Sequence, residues 1–144
     1  MVRPTALQQP DTAVAIWDLE NLSPMDNRNQ DLGDMLSNRI VEVFQESNHY
    51  LVVEREQLVL ALRELNLGSS SLADESTRLR IGQLVGARMM IFGAYQVIGD
   101  QMRLDLRMVE VETGRILKAS HQNAGKSNWT GWLDAAAAAA RDLM

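Results

Sequence analysis

The sequence predicts one α/β domain on a mixed five-stranded sheet with about four helices. Three observations predict it. In the first half, apolar runs of strand length alternate with segments of helical period. In the second half, apolar runs are separated by glycine-containing turns, the pattern of an antiparallel meander. The composition, 46% hydrophobic and 23% charged over 144 residues, is that of an ordinary globular domain. The expected element order is β-α-β-α-α-β-β-β-α. The first-half crossovers are expected to be right-handed and parallel, and the expected spatial strand order is 2-1-3-4-5.

Residues 1–11 carry Pro4, Pro10 and the pair Gln8-Gln9, and read as a flexible leader to a single domain over 12–144. Ala13 to Trp17 is a short apolar run, a buried strand. Asp18 to Gln30 is polar and contains Pro24, so it reads as a loop. From Asp31 the period changes. Leu32, Met35, Leu36, Ile40, Val43 and Phe44 make one apolar helical stripe. Asp31 and Asp34 sit in its first turn, where carboxylates favour the helix dipole, and Ser47-Asn48 marks its end. Tyr50 to Val53 is the second strand.

A second helix spans Glu56 to Leu67, with Leu58, Ala61, Leu62 and Leu65 inward. Gly68 lies just past its end, where a left-handed residue is wanted. Ser69-Ser70-Ser71 is a linker. Asp74 caps a third helix with Thr77, Ile81, Leu84 and Val85 on one face and Gly86 as its stop. Met89 to Ile98 is the most apolar stretch and reads as a central strand covered on both faces. Gly99-Asp100 is a two-residue turn. The next strand points Met102, Leu104, Leu106 and Met108 inward and Arg103, Asp105 and Arg107 outward. The phase then flips to Val109 and Val111, which predicts a β-bulge near Met108-Val109. Thr113-Gly114 makes the second turn and Ile116 to Gln122 the last strand. After a polar loop over Asn123 to Asn128, a final helix reaches Leu143. Its inner face is Trp129, Trp132, Leu133, Ala136 and Ala140, and its alanine run is strongly helix-forming.

The same sequence excludes several functions. There is no cysteine, so disulfides, thiolate zinc sites and cysteine catalysis are out. Fourteen Lys and Arg against nineteen Asp and Glu give a net charge of −5, which argues against a nonspecific nucleic-acid binder. No apolar run approaches the roughly 18–20 residues of a membrane-spanning helix. Met1 to Thr5 leads into polar residues, not into a signal-peptide core.

Candidate chemistry is sparse. His49 and His121 lack sequence partners for a metal site or a general base and read as solvated. The carboxylate pairs Glu54 with Glu56, Glu110 with Glu112 and Asp74 with Glu75 read as exposed faces; acid–base work would need burial to split their pKa values. The loop after the first strand has no glycines to cradle phosphate. Gly82, Gly86 and Gly93 read as packing and capping residues. Arg78, Arg80, Arg88, Arg103 and Arg107 could form a basic patch, but Arg103 and Arg107 flanking Asp105 look more like an exposed charge ladder. Met89, Met90, Met102 and Met108 read as core. No catalytic, cofactor or metal residue is expected. Trp129 and Trp132 are the candidates for a partner anchor, against the simpler role of packing the last helix.

The order of segments resembles the CsgG-like superfamily, which takes in the curli secretion channel and LpoB-type activators of penicillin-binding proteins. Ala13-Val14-Ala15-Ile16 followed by Glu20-Asn21-Leu22 is similar to its opening strand and loop. Val52-Val53-Glu54-Arg55 with Gln57-Leu58 is similar to its second strand and helix start. Leu67-Gly68, Gly86-Ala87, Gly93, Gly99-Asp100 and the run from Val109 to Leu117 continue in order. The resemblance spans about residues 13–117. It implies an α/β domain of the Gram-negative envelope that works by protein contact, with no catalytic residue to carry over.

Curli channels carry long inserts that form barrel strands, and a membrane hairpin needs two strands of roughly 9–11 residues each. Here the turns are short, so the resemblance favours a regulator over a pore. The expected function is a non-enzymatic periplasmic interaction domain. Its partner is another cell-envelope protein or a second copy, with no nucleic acid. Membrane contact comes only through a lipid anchor absent from this chain, which would place the full-length protein at the outer membrane. The alternative is a subunit of an oligomeric outer-membrane export assembly, which an apolar seam on a sheet edge would favour. A third class, a small-ligand or enzymatic domain, would need a deep pocket with shifted carboxylates.

Overall fold

The computed structural model describes residues 12–23, 31–65, 75–125 and 128–144. The expected leader, the Gly68 stop, the Ser69–Ser71 linker and the Asp74 cap lie outside the described residues. The elements are β1 (Thr12–Ile16), β2 (Glu20–Asn21), α1 (Leu32–Glu46), β3 (Tyr50–Val52), α2 (Arg55–Glu64), α3 (Glu75–Leu84), β4 (Met89–Ile98), β5 (Gln101–Glu110), β6 (Ile116–Ala124) and α4 (Trp129–Leu143). The sheet order is β3-β1-β4-β5-β6, with β2 beside β4. β1 is parallel to β3 and β4, and β4-β5-β6 is an antiparallel meander. The expected order of the five longer strands is therefore observed.

The sixth strand corrects the sequence reading, which took Asp18 to Gln30 as loop. β4 has ten residues and β1 five, so β1 alone would leave half of one β4 edge unpaired. The chain bends at 17–19 and returns to that edge, with Glu20 opposite Ala94 and Asn21 opposite Tyr95. The Leu22 amide then donates to the Tyr95 carbonyl (2.9 Å), and the Ser23 Oγ accepts from the Val97 amide (2.9 Å). Two polar residues carry no strand signal of their own; the open edge recruits them.

The sheet has two cores. On one face, Leu36, Ile40 and Phe44 of α1 and Ala136 and Ala140 of α4 pack on Ile91, Leu104 and Leu106. On the other, Leu58 and Ala61 of α2 and Ile81 of α3 pack on Ala15, Met90, Phe92 and Val109. The bulge expected near Met108-Val109 is present in the β5–β6 pairing, with its extra residue on β6 and not on β5. β5 itself pairs with β4 without interruption from Gln101 to Glu110. Its phase flips because Met108 faces the first core and Val109 the second, which begins there. Met108 pairs with Lys118 and Val109 with Ile116, so Leu117 is the extra residue.

Two smaller corrections concern turns and faces. β5 stops at Glu110, so the second turn of the meander runs over 111–115 and is longer than the two residues expected. Its closing bond runs from the Gly114 amide to the Glu110 carbonyl (2.8 Å). In α3, Leu84 is 48% exposed where the stripe placed it inward. Gly82 takes the buried position instead, against the Met90 thioether.

Helix ends follow elementary capping. The Asn128 side chain accepts from the amides of Thr130 and Gly131, capping α4. The Tyr95 hydroxyl meets the backbone of Gly33 in the first turn of α1, and burial raises its pKa above the ordinary 10.0. Past α3, Gly86 has φ +76° with open space around its α-carbon. Gly86→Ala should therefore cost about 1–2 kcal/mol from backbone conformation alone, read by urea denaturation; an unchanged midpoint would refute it.

Candidate functional site

In open α/β sheets, ligand crevices form beyond the carboxyl ends of parallel strands where successive crossovers diverge. That point lies at the end of β1. The connection through α1 covers one face, and the connection through α2 and α3 covers the other. Asp18 leaves β1 there. Arg55 opens α2 immediately after β3. The Arg55 guanidinium grips the Asp18 carboxylate with both nitrogens, Nη1 to Oδ1 and Nη2 to Oδ2, the latter at 2.6 Å. This hydrogen bond raises the Arg55 pKa, against a smaller opposing effect of burial.

Two cavities border this pair and a third lies beyond the second. One of about 340 Å³ lies toward α1, lined by Ser37, Asn38 and Gln45. One of about 140 Å³ lies toward α2, with Trp17, Val59 and Leu62 in its wall. Asp18 and Arg55 border both. A third, of about 300 Å³, opens on the uncovered face of the meander over Phe92, Ala94 and Ala119. Arg78 lines the second and the third. The three cavities therefore lie in a row, the first two sharing Asp18 and Arg55 and the last two sharing Arg78.

The walls are fixed from within. The Trp17 indole donates to the Met90 sulfur at 3.5 Å. The Leu19 amide donates to the Ser37 Oγ at 3.3 Å, which accounts for a serine buried among apolar residues. Arg78 and Arg107 lie over the Phe92 ring, 5.1 and 5.4 Å from its centroid, at cation–π distance.

The other sequence candidates scatter. His49 and His121 are exposed and belong to opposite edges of the sheet. Glu54 and Glu56 are exposed beside the first cavity. Glu110 and Glu112 border a separate depression with Arg88. Arg103 pairs with Asp105 on its own strand, Nε to Oδ2 at 3.1 Å, the exposed ladder expected for that face. Only Arg78 and Arg107 of the five arginines meet over Phe92. Trp132 is 1% exposed and Trp129 half-buried. Among the described residues, no three histidine, aspartate or glutamate side chains could hold a metal ion. No described helix is long and apolar enough to cross a membrane.

The Asp18–Arg55 pair was missed in the sequence, where 37 positions separate its members. A signal existed: each is a charged residue just past the end of an apolar strand. The pair is exposed, so Asp18→Asn should cost only about 0.2–1 kcal/mol, with a loss that shrinks in high salt. A larger, salt-independent loss in urea denaturation would show that the pair is more than a surface bridge.

The family model described as "Curli production assembly/transport component CsgG" matches residues 5–99. No curated protein matches the chain. Among solved structures, the fold is similar to the LpoB C-terminal domain from Salmonella enterica. The TM-score is 0.68 at 18% identity, covering 85% of this chain and 92% of that one. It is similar to the lipoprotein GNA1162 from Neisseria meningitidis at TM-score 0.66 and 12% identity, covering 81% and 82%. The PelC dodecamer from Paraburkholderia phytofirmans gives TM-score 0.54 and 12% identity, covering 92% and 85%. At these identities the likeness establishes the fold.

Proposed function

The chain belongs to the CsgG family, and on that premise we propose that it is a non-enzymatic protein-interaction domain of the cell envelope. It binds another envelope protein and regulates or assembles it. The family match is the observation that carries this reading. The site geometry supports it: the crevice at the end of β1 is spanned by an exposed ion pair, and its carboxylates are solvated. Such a surface suits contact with another protein better than bond-making chemistry. The fold shared with an LpoB domain and a lipoprotein supports a periplasmic location, held at the outer membrane by a lipid anchor.

Cross-linking capture from a solubilised Gram-negative envelope, with this domain as bait and mass spectrometry of the product, tests the reading. Enrichment of one envelope protein is the expected result. Recovery of nothing above background would overturn it.

A second reading is favoured by one observation. β6 is an edge strand, and Ile116 and Leu117 at its start are 61% and 42% exposed. An apolar seam on an edge suits self-association into an export assembly. Native mass spectrometry decides between the two: a closed ring of copies supports the assembly, and a monomer across the micromolar range overturns it.

A further inference from the structure

We propose that the groove from the Asp18–Arg55 pair to the Phe92 floor docks an extended segment of the partner protein, one that presents an aliphatic side chain beside a carboxylate. The inference rests on the interaction-domain reading and deepens it by naming the surface and the chemistry of its occupant.

Three features point to this occupant. The cavities adjoin one another, Arg55 bordering the first two and Arg78 the last two. The middle of the groove is apolar: Val59 and Leu62 of α2 stand beside Trp17, and Val59 is exposed to solvent there. An aliphatic side chain laid on them removes apolar surface from water. Its far end is cationic in a chain whose net charge is −5. Arg78 and Arg107 converge over Phe92, with His121 at the rim.

Of the two acids bordering that end, Glu20 and Asp105, the second is already gripped by Arg103. Both Arg78 and Arg107 are engaged by other groups of the chain, so an arriving carboxylate shares those guanidiniums. Planar guanidiniums with several donors each can serve two acceptors at once. The floor between them is Ala94 and Ala119, small enough for a peptide backbone to lie close to the sheet.

The test uses the ¹⁵N-labelled full chain and a short acetylated, amidated peptide of alternating leucine and glutamate. A second peptide with every glutamate changed to glutamine is the control. Saturable amide shifts are expected at Val59, Arg78, Phe92 and Ala119, weakening with salt. The glutamine peptide should bind about tenfold more weakly, the loss of one charge-assisted contact. Ala119→Glu, at an exposed position of β6, should weaken the glutamate peptide about as much by repulsion while leaving the thermal midpoint unchanged. Arg78→Gln should act in the same direction.

Equal binding of both peptides, shifts confined to another face, no saturable shift at millimolar peptide, or Ala119→Glu changing only self-association would each overturn the groove. The envelope capture is read separately. A failed titration with successful capture overturns the groove and leaves the interaction reading intact. A successful titration with failed capture supports the groove and removes the proposed envelope partner.

Discussion

Replacing Trp132 with alanine should destabilise the fold by about 3–5 kcal/mol. The loss should appear as a lower urea midpoint with an unchanged slope. Trp132 is the largest of the fully buried side chains, 1% exposed. It fills the first core with Leu32 of α1 and Met102 and Leu104 of the meander. The hole it would leave cannot easily close. Its neighbours along α4 are alanines, Ala135, Ala136 and Ala139, and an alanine has no side-chain length with which to follow a missing ring. The cost therefore includes most of a cavity as well as the lost transfer energy.

The indole adds a second effect. Its Nε1 is buried without a hydrogen-bond partner among the described residues, and such a group lowers stability. Trp132→Phe keeps most of the volume and removes that N–H, so it should lose much less than the alanine variant. Trp129 is half-buried, and its alanine variant should fall well short of the Trp132 loss. A Trp132→Ala protein with the midpoint of the parent would refute the core role. If it also failed to capture a partner, Trp132 would be an anchor after all.

Much of this fold can be read from the sequence because its signals are local. The helical stripe from Leu32 to Phe44 and the Gly99-Asp100 turn each occupy a few adjacent residues. The expected order of the longer strands matches the one observed. What escaped depends on distant partners. Glu20 and Asn21 form a strand only because β4 outruns β1. A bulge does lie beside Met108-Val109, but its extra residue is Leu117 of the partner strand, and the phase change itself comes from a second core on the other face. Leu84 lies on the apolar stripe of α3, but the close approach at Gly82 rotates that helix's contact face. The site is the hardest case: Arg55, Arg78 and Arg107 come from three different elements and Asp18 from the bend after β1, and each alone reads as an ordinary surface charge. Strand ends could have marked Asp18 and Arg55; no comparable rule would have placed Arg78 and Arg107 over Phe92.

Gly93→Ala should cost about 1–3 kcal/mol, although it adds a single methyl group. A β-carbon at this position would stand 2.5 Å from Leu106 Cδ2, 2.7 Å from Leu19 Cδ2 and 2.7 Å from the Asp105 carbonyl oxygen. Leucine methyls can yield by a change of rotamer. The carbonyl cannot, because Asp105 is fixed in the β4–β5 ladder opposite Ala94, and moving it disturbs the meander. Glycine at 93 is what allows Leu19, itself buried, to lie across β4 and seat the bend that delivers Asp18.

Strain at 93 should therefore reach the groove. As Leu19 lifts, its amide leaves the Ser37 Oγ and Asp18 moves relative to Arg55. Urea denaturation should show the lower midpoint, and the Arg55 side-chain resonances should shift with it. The double variant Gly93→Ala with Leu19→Ala removes one of the three clashes, so its loss should be smaller than the sum of the two single losses. Simple additivity would show that Leu19 and Gly93 are not coupled, and that the bend is held by β2 and Ser37 instead.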